Sequence, residues 1–189
     1  MKIMNFRLLA ILLVLLVFIP NCSKDNKVEI KFAGNYVITE ALVAEAFTIP
    51  VTGLGNIPVA VNTPVTEAIQ TALLSAVTCS SADKSYIELR EDFSLVLSCE
   101  GADPLNAGTW TEVSATELLL NLNSSAVTSS PTGISLAVTE VVKSGTILTG
   151  NTSVPMPKAF IAAIIAPLTL DASAPEIFLV KVSLKFTQK

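Results

Sequence analysis

Hydrophobic and polar residues alternate along several short segments, which is the pattern of half-buried β-strands. The clearest case is residues 178–187, FLVKVSLKFT, where every second residue is apolar: Phe178, Val180, Val182, Leu184 and Phe186. Residues 93–99, FSLVLSC, show the same period and follow SYIELR after a short Glu91-Asp92 turn. Because these two strand-like segments are separated by so few residues, they predict a β-hairpin.

Five further segments have strand character: NYVITEA from Asn35, GTWTEVS from Gly108, TELLLNLN from Thr116, GISLAVTEV from Gly133 and GTILTG from Gly145. Most of the connections between them are rich in Gly, Ser, Asn and Pro. Seven or more short strands with such connections predict a mainly β fold, either an antiparallel barrel or a sandwich.

One segment after the first predicted strand has helical periodicity instead. In NTPVTEAIQTALLSAV, from Asn62, the apolar residues Val65, Ile69 and Leu73 recur at helical spacing. Thr63 is suited to cap the helix and Pro64 to its first turn. The sequence therefore predicts one α-helix over residues 64–77, which delivers the chain to Cys79.

The N-terminus has the pattern of a targeting segment. Lys2 and Arg7 precede an unbroken apolar run over residues 8–19. That run is shorter than the roughly 20 apolar residues a transmembrane helix needs. Between Leu15 and Lys24 there is no pair of small residues at the spacing of an ordinary signal-peptide cleavage site. We therefore expect residues 1–21 to be a signal peptide of another kind.

Cys22, which follows this apolar run, resembles the lipid-attachment cysteine of a bacterial lipoprotein signal. Ile19 suits the lipobox, whereas Pro20 and Asn21 replace its usual small residues. Lipoproteins of the Bacteroidetes tolerate such boxes and often continue with Ser, Lys and Asp, as CSKDN does. The resemblance implies lipid attachment at Cys22, a polar tether over residues 22–31, and anchoring in the cell envelope, in the outer membrane by expectation. An uncleaved anchor helix and a buried thiol are the alternatives.

Charge and composition argue against several classes of function. The chain has 12 basic and 16 acidic residues, and it contains no clustered Lys and Arg to bind phosphates. Nucleic acid is therefore not an expected partner. Histidine is absent, which removes the commonest general base and the commonest transition-metal ligand. We expect no cofactor and no metal site.

The remaining cysteines, Cys79 and Cys99, are too far apart in sequence for a zinc-knuckle motif. In an exported chain such a pair most simply forms a disulfide. Closing a loop of about 20 residues would stabilise the fold by roughly 3 kcal/mol on the chain-entropy model. Two free thiols are the alternative.

The order of these features resembles the lipocalin-like lipoproteins of Bacteroidetes. A Gly-x-aromatic opening strand at Gly34 is followed by a helix ending before Cys79, a hairpin ending in Cys99, the motif GTW at Gly108, and TELLLNLN. The resemblance covers residues 32–189. It implies an antiparallel lipocalin-like β-barrel with one helix packed across it, and it implies that Trp110 closes one barrel end by packing. Stacking of Trp110 on a ligand is the alternative.

Two apolar blocks depart from that family pattern: AFTIPVTGLGNIPVAV over residues 46–61 and VPMPKAFIAAIIAPLTL over residues 154–170. Their prolines stand at 50, 58, 155, 157 and 167, and a proline cannot donate to a β-ladder. The blocks are therefore expected as edge segments, loops or a short helix. They could pack on each other at the barrel end, line a ligand site, or contact a membrane or a protein.

Enzymatic motifs are missing from the sequence, since it has no G-x-S-x-G elbow, no phosphate-binding P-loop and no H-E-x-x-H helix. Glu91-Asp92 is an adjacent acidic pair, but solvated turn residues explain it more simply than glycosidase chemistry. Asp83, Glu100 and Asp103 carry oxygen ligands suited to Ca²⁺, yet their spacing matches no known loop. Surface charge is the simpler interpretation.

Two functions remain, and neither is catalytic. The leading one is the binding of a small apolar or amphipathic ligand in or at the mouth of the barrel, since barrels of about eight strands can hold one small ligand. The alternative is a structural or interaction module with a filled barrel, which contacts a partner protein through its apolar blocks.

Overall fold

The computed structural model describes residues 31–77, 79–81, 84–123 and 132–189. This part of the chain contains two helices, α1 (Thr66–Val77) and α2 (Lys158–Ile164). It also contains ten strands: β1 (Gly34–Val43), β2 (Phe47–Val51), β3 (Gly55–Val59), β4 (Ser85–Leu89), β5 (Ser94–Cys99), β6 (Leu105–Ser114), β7 (Glu117–Leu122), β8 (Ile134–Ser144), β9 (Ile147–Pro157) and β10 (Ile177–Gln188).

Eight of these strands close into an antiparallel barrel in the order β1-β10-β9-β8-β7-β6-β5-β4, while β2 and β3 form a separate two-stranded sheet. Pairing of β1 with β4 completes the ring. The mainly β prediction and the barrel are thereby confirmed, and the sandwich is wrong. Every segment predicted from alternation lies in a barrel strand, because a period of two places one face of each strand on the common core.

The antiparallel order gives the barrel two distinct ends. The chain enters β1 at the end that carries the β4–β5, β6–β7 and β8–β9 turns, which we call the N-terminal end. The opposite end carries the long connections that hold the β2–β3 hairpin, α1 and α2, and we call it the insert end.

Strand β10 shows how the core is built. Its five predicted inward residues are all buried, and the residues between them are exposed or half-buried. Across the ladder to β9, Phe186 pairs with Leu148 and Phe178 with Met156, and both of these partners are buried as well. Burying each such side chain contributes about 1.5–3 kcal/mol.

Phe32 fills the N-terminal end of the barrel. Its side chain is fully buried, and its backbone N–H donates to Glu112 Oε1 at 2.8 Å. The Tyr36 hydroxyl donates to the Phe32 carbonyl at 3.0 Å. Lys31 Nζ donates to the Ala115 carbonyl at 3.2 Å. The first described residues are therefore fixed against the β6–β7 turn.

Helix α1 covers the narrowest seam of the barrel. β1 and β4 pair over three positions in the described chain, from Gly34 to Tyr36 on β1. Beyond them, Ala41 accepts a bond from the Val65 N–H at 2.9 Å, and Ile38 accepts one from Gln70 Nε2 at 2.7 Å. The helix begins at Thr66 rather than at the predicted residue 64, because residues 64–66 continue the pairing with β1.

Candidate functional site

The two apolar blocks meet at the insert end. The β2–β3 hairpin is hydrogen-bonded to the segment that follows α2: the Thr52 N–H donates to Thr169 at 2.9 Å, and the Asp171 N–H donates to Pro50 at 3.0 Å. The bonded residues lie more than 100 residues apart in sequence, and their hydrogen bonds join the two blocks through the main chain. Of the alternatives for these blocks, the structure shows mutual packing.

Their side chains form an extension of the barrel core. Ile49 of β2 and Ile161 of α2 are fully buried, and Leu170 is buried in the same hydrophobic core. Phe47 contacts Phe178 of β10 with ring centroids 6.5 Å apart. The mouth of the barrel at this end is therefore occupied by the chain itself.

Four prolines of the blocks lie in strands, but at edges. Pro50 and Pro58 belong to the two-stranded sheet, in which each strand has one partner strand. Pro155 and Pro157 lie in β9 beyond Asn151, the last residue that pairs with β8. The prediction that these prolines avoid central positions is confirmed, because none of their missing N–H groups interrupts a ladder.

The cavities within the described barrel are small. One lies in its apolar interior and has a volume of about 20 Å³; its lining includes Leu118, Leu120, Val138, Leu148 and Phe186. A second, also about 20 Å³, lies under α1 and includes Gln70, Tyr86 and Ser98. Such a volume holds about one water molecule. Both cavities are lined in part by Tyr36 and Ile87.

Trp110 is a packing residue at the N-terminal end. Its ring is fully buried and contacts Phe93 with centroids 5.5 Å apart. Its indole Nε1–H donates to the Arg90 carbonyl at 3.0 Å. The ring lines neither of the two cavities. These contacts favour the structural role over stacking on a ligand.

Cys79 and Cys99 form a disulfide, with their Cα atoms 5.6 Å apart. This is the pairing that the sequence predicts, and it joins the segment after α1 to the end of β5. Cys22, the predicted lipid-attachment residue, lies outside the described residues, as do the signal peptide and all but the last residue of the tether.

The acidic candidates are dispersed around the surface. Asp92 accepts hydrogen bonds from the Ser94 hydroxyl at 2.6 Å and the Ser94 N–H at 2.9 Å, and these bonds lower the pKa of its carboxyl. A general acid needs a raised pKa, so the geometry fits a turn better than catalysis. Glu100 pairs with Lys189, and Asp103 is exposed. Asp83 lies outside the described residues.

The described residues contain no cluster of three or more side chains suited to hold a metal ion. No helix among them is long and apolar enough to cross a membrane.

Sequence reasoning missed an apolar surface on the outer face of β10 at the insert end. Ile177 is 54% exposed and Leu179 is 71% exposed. Leu179 borders an open groove of about 270 Å³, which is also lined by Glu45, Ala46, Phe47, Ser153 and Lys181. The sequence feature that indicates this surface is the run IFLV at 177–180, which places apolar residues on both faces of the strand just before the alternation begins.

No protein-family model matches the sequence, and a search of curated proteins gives no match.

Proposed function

We propose that this chain is a non-catalytic, lipid-anchored envelope protein whose filled β-barrel is an interaction module. The observation that carries the proposal is the size of the cavity in the apolar interior of the described barrel, about 20 Å³. Pockets for small molecules usually measure about 300–1,000 Å³. A partner protein that binds the insert end is therefore favoured over a small ligand inside the barrel.

The mouth of the barrel supports the same choice. A ligand at the insert end would have to displace Ile49, Ile161 or Phe178, all of which are buried in the shared core. At the N-terminal end it would have to displace Phe32, which is also fully buried. Each displacement would expose apolar surface to water, at a free-energy cost of about 25 cal/mol for each Å² exposed.

The proposed anchor is a lipid on Cys22, followed by the tether over residues 22–31. Lys31 lies at the N-terminal end of the barrel, so the tether would hold this end towards the membrane. The 12 residues of β10, tilted in the barrel, span roughly 30 Å. The insert end would then face away from the anchoring membrane, which favours contact with a protein.

The resemblance to lipocalin-like lipoproteins of Bacteroidetes agrees with this proposal. The eight-stranded antiparallel barrel, with a helix after its first strands, is consistent with that family's fold. A likeness of fold does not by itself give a function. Attachment to the outer membrane and the absence of enzymatic activity are parts of the proposal.

We predict that the domain beginning after Cys22, purified without detergent, carries no stoichiometric small molecule and binds no apolar probe. Mass spectrometry of an organic extract and xenon or benzene titration would measure this. Phe186→Ala is the matched positive control, because it enlarges the interior cavity that Phe186 lines, and enlarged apolar cavities bind such probes. A stoichiometric lipid in the parent protein would overturn the filled-barrel proposal.

We also predict that Cys22→Ser moves the protein from the membrane fraction to the soluble fraction, because it removes the proposed attachment atom. Fractionation followed by immunoblotting measures the change. The double variant C79S/C99S is the control: it leaves the signal intact and should stay with the membrane. If Cys22→Ser fractionates like the parent chain, the lipid anchor is wrong.

A further inference from the structure

At the insert end, the part of β10 beyond its pairing with β1 leaves a strand edge unpaired. The pairing of β1 with β10 ends at Val43 and Val182, and the Ala44 N–H then donates to the Lys181 carbonyl at 2.8 Å. Main-chain groups alternate in direction along a strand, so those of Leu179 and Ile177 point the same way as those of Lys181. Within the described part of the chain, no strand pairs with them on that side.

Two other stretches of strand edge at this end carry proline. The Lys158 N–H donates to the main-chain carbonyl of Glu176, the residue just before β10. Because directions alternate along a strand, the nitrogens of Pro157 and Pro155 point the other way, towards β8, with which this part of β9 does not pair. The Pro50 carbonyl accepts a hydrogen bond from the Asp171 N–H, so the main-chain groups of Pro50 point away from β3. Pro58 pairs with Thr48, two residues before Pro50, so its nitrogen points to the outer edge of β3. Proline at an edge prevents further pairing.

The β10 edge has the opposite character. It carries no proline, and its outward side chains, Ile177 and Leu179, are the apolar residues exposed beside the groove. At one end of the groove, Glu45 and Lys181 form an exposed ion pair of 3.2 Å. The edge thus combines free main-chain donors and acceptors, an apolar surface and two charges.

We propose that this edge, together with the groove, binds an extended segment of a partner protein as an added β-strand. The inference rests on the interaction-module function proposed above and names its surface. The N–H and C=O of Leu179 would bond the partner's main chain. Apolar side chains of the partner would lie beside Ile177 and Leu179, and a charge beyond them would meet Glu45 or Lys181.

A lipid acyl chain fits this edge less well, because it offers neither donor nor acceptor to the Leu179 main chain, and unsatisfied main-chain groups are costly in hydrocarbon. A second copy of this chain is distinguished from a partner segment by the dependence of protection on protein concentration.

Hydrogen exchange of the full lipidated chain in nanodiscs tests the edge first. The amides of Ile177 and Leu179 should exchange much faster than those of Phe178 and Val180, whose groups face β9. Equal protection of odd and even positions would overturn the inference, because the edge would then already be paired.

Binding is tested by adding acetylated, amidated five-residue peptides that alternate Thr with Val, Ile, Leu or Phe. At 90% occupancy the Leu179 amide should exchange about tenfold more slowly. The same peptides with N-methylated main chains should give no protection. No protection by any peptide, or equal protection by the methylated set, overturns the inference. Protection by nanodisc lipid alone, or protection that rises with protein concentration, overturns it in favour of lipid or a second copy.

Two variants separate the edge from the rest of the proposal. Leu179→Pro removes the free N–H of residue 179, just as Pro155 and Pro157 lack theirs. The peptides should then no longer slow amide exchange in the residues that line the groove, and the thermal midpoint should be unchanged. Val113→Ser, at an exposed position of the other end, should leave peptide binding intact. If peptides fail to bind while the barrel proves empty, the edge is wrong and the interaction module stands. A stoichiometric ligand in the barrel would instead overturn the module.

Discussion

Trp110→Ala should lower the free energy of unfolding by about 3–5 kcal/mol, the usual cost of truncating a large buried aromatic side chain. The ring is fully buried and its N–H bond to Arg90 would be lost with it. Urea denaturation of the domain after Cys22, followed by circular dichroism, measures the change. A loss below about 1 kcal/mol would contradict a packing role for Trp110.

The neighbourhood of Trp110 explains why so large a loss is expected. Phe93, in the β4–β5 turn, packs on the ring, and its main-chain carbonyl accepts a bond from the main-chain N–H of Trp110 at 3.0 Å. Two residues before the ring, a Cβ on Gly108 would approach the Asn121 carbonyl oxygen to 1.9 Å, so β6 and β7 approach closely there. The surroundings are held by main chain and cannot collapse readily into the space left by the ring.

Two controls accompany this measurement. Trp110→Phe keeps most of the apolar ring and loses the bond to Arg90, so it should cost less than Trp110→Ala. Val113→Ala changes an exposed side chain on the same strand and should alter stability by less than about 0.5 kcal/mol. If all three variants unfold at the same urea concentration, the ring does not support the barrel end.

The strands of this barrel could be predicted from sequence because burial on one face gives a period of two directly. The five inward residues of β10 are the clearest case. The start of α1 could not be predicted to the residue. Thr66 Oγ1 accepts a bond from Ala41, 25 residues away, and such a tertiary contact leaves no local signal in the sequence.

The two Ile-Pro-Val copies show a second limit. Their prolines correctly exclude central strands, yet they do not reveal that the copies pair with each other as β2 and β3. That hairpin is held by hydrogen bonds to residues 169–171, which are distant in sequence. Its position over the barrel mouth is therefore a property of the assembled fold.

Whether the barrel is filled was also beyond the sequence. Leu118, Leu120 and Leu122 are large aliphatic residues on β7, and they suited both a filled interior and a lined pocket. The free volume between them depends on how neighbouring strands interdigitate, which no single strand encodes. The unpaired edge at Leu179 was hidden for a similar reason, since the point where β1 leaves β10 is set by the insert after Val43.

Removing the disulfide with Cys79→Ala and Cys99→Ala together should lower the free energy of unfolding by roughly 3 kcal/mol on the chain-entropy model, because a loop of about 20 residues is freed in the unfolded chain. The bond also holds the end of α1 against β5, beside Ser85 of β4, where the three-position pairing of β1 with β4 has already ended. Hydrogen exchange in α1 and in residues 37–43 of β1 should therefore rise more than exchange in β7 and β8.

Urea denaturation and peptide-resolved exchange of the oxidised parent and the double variant measure both effects, with the reduced parent as a control that leaves the sequence unchanged. If stability falls while exchange rises uniformly, the disulfide acts on the unfolded chain alone. If α1 and the β1 half loosen selectively, the bond keeps the seam between β1 and β4 closed.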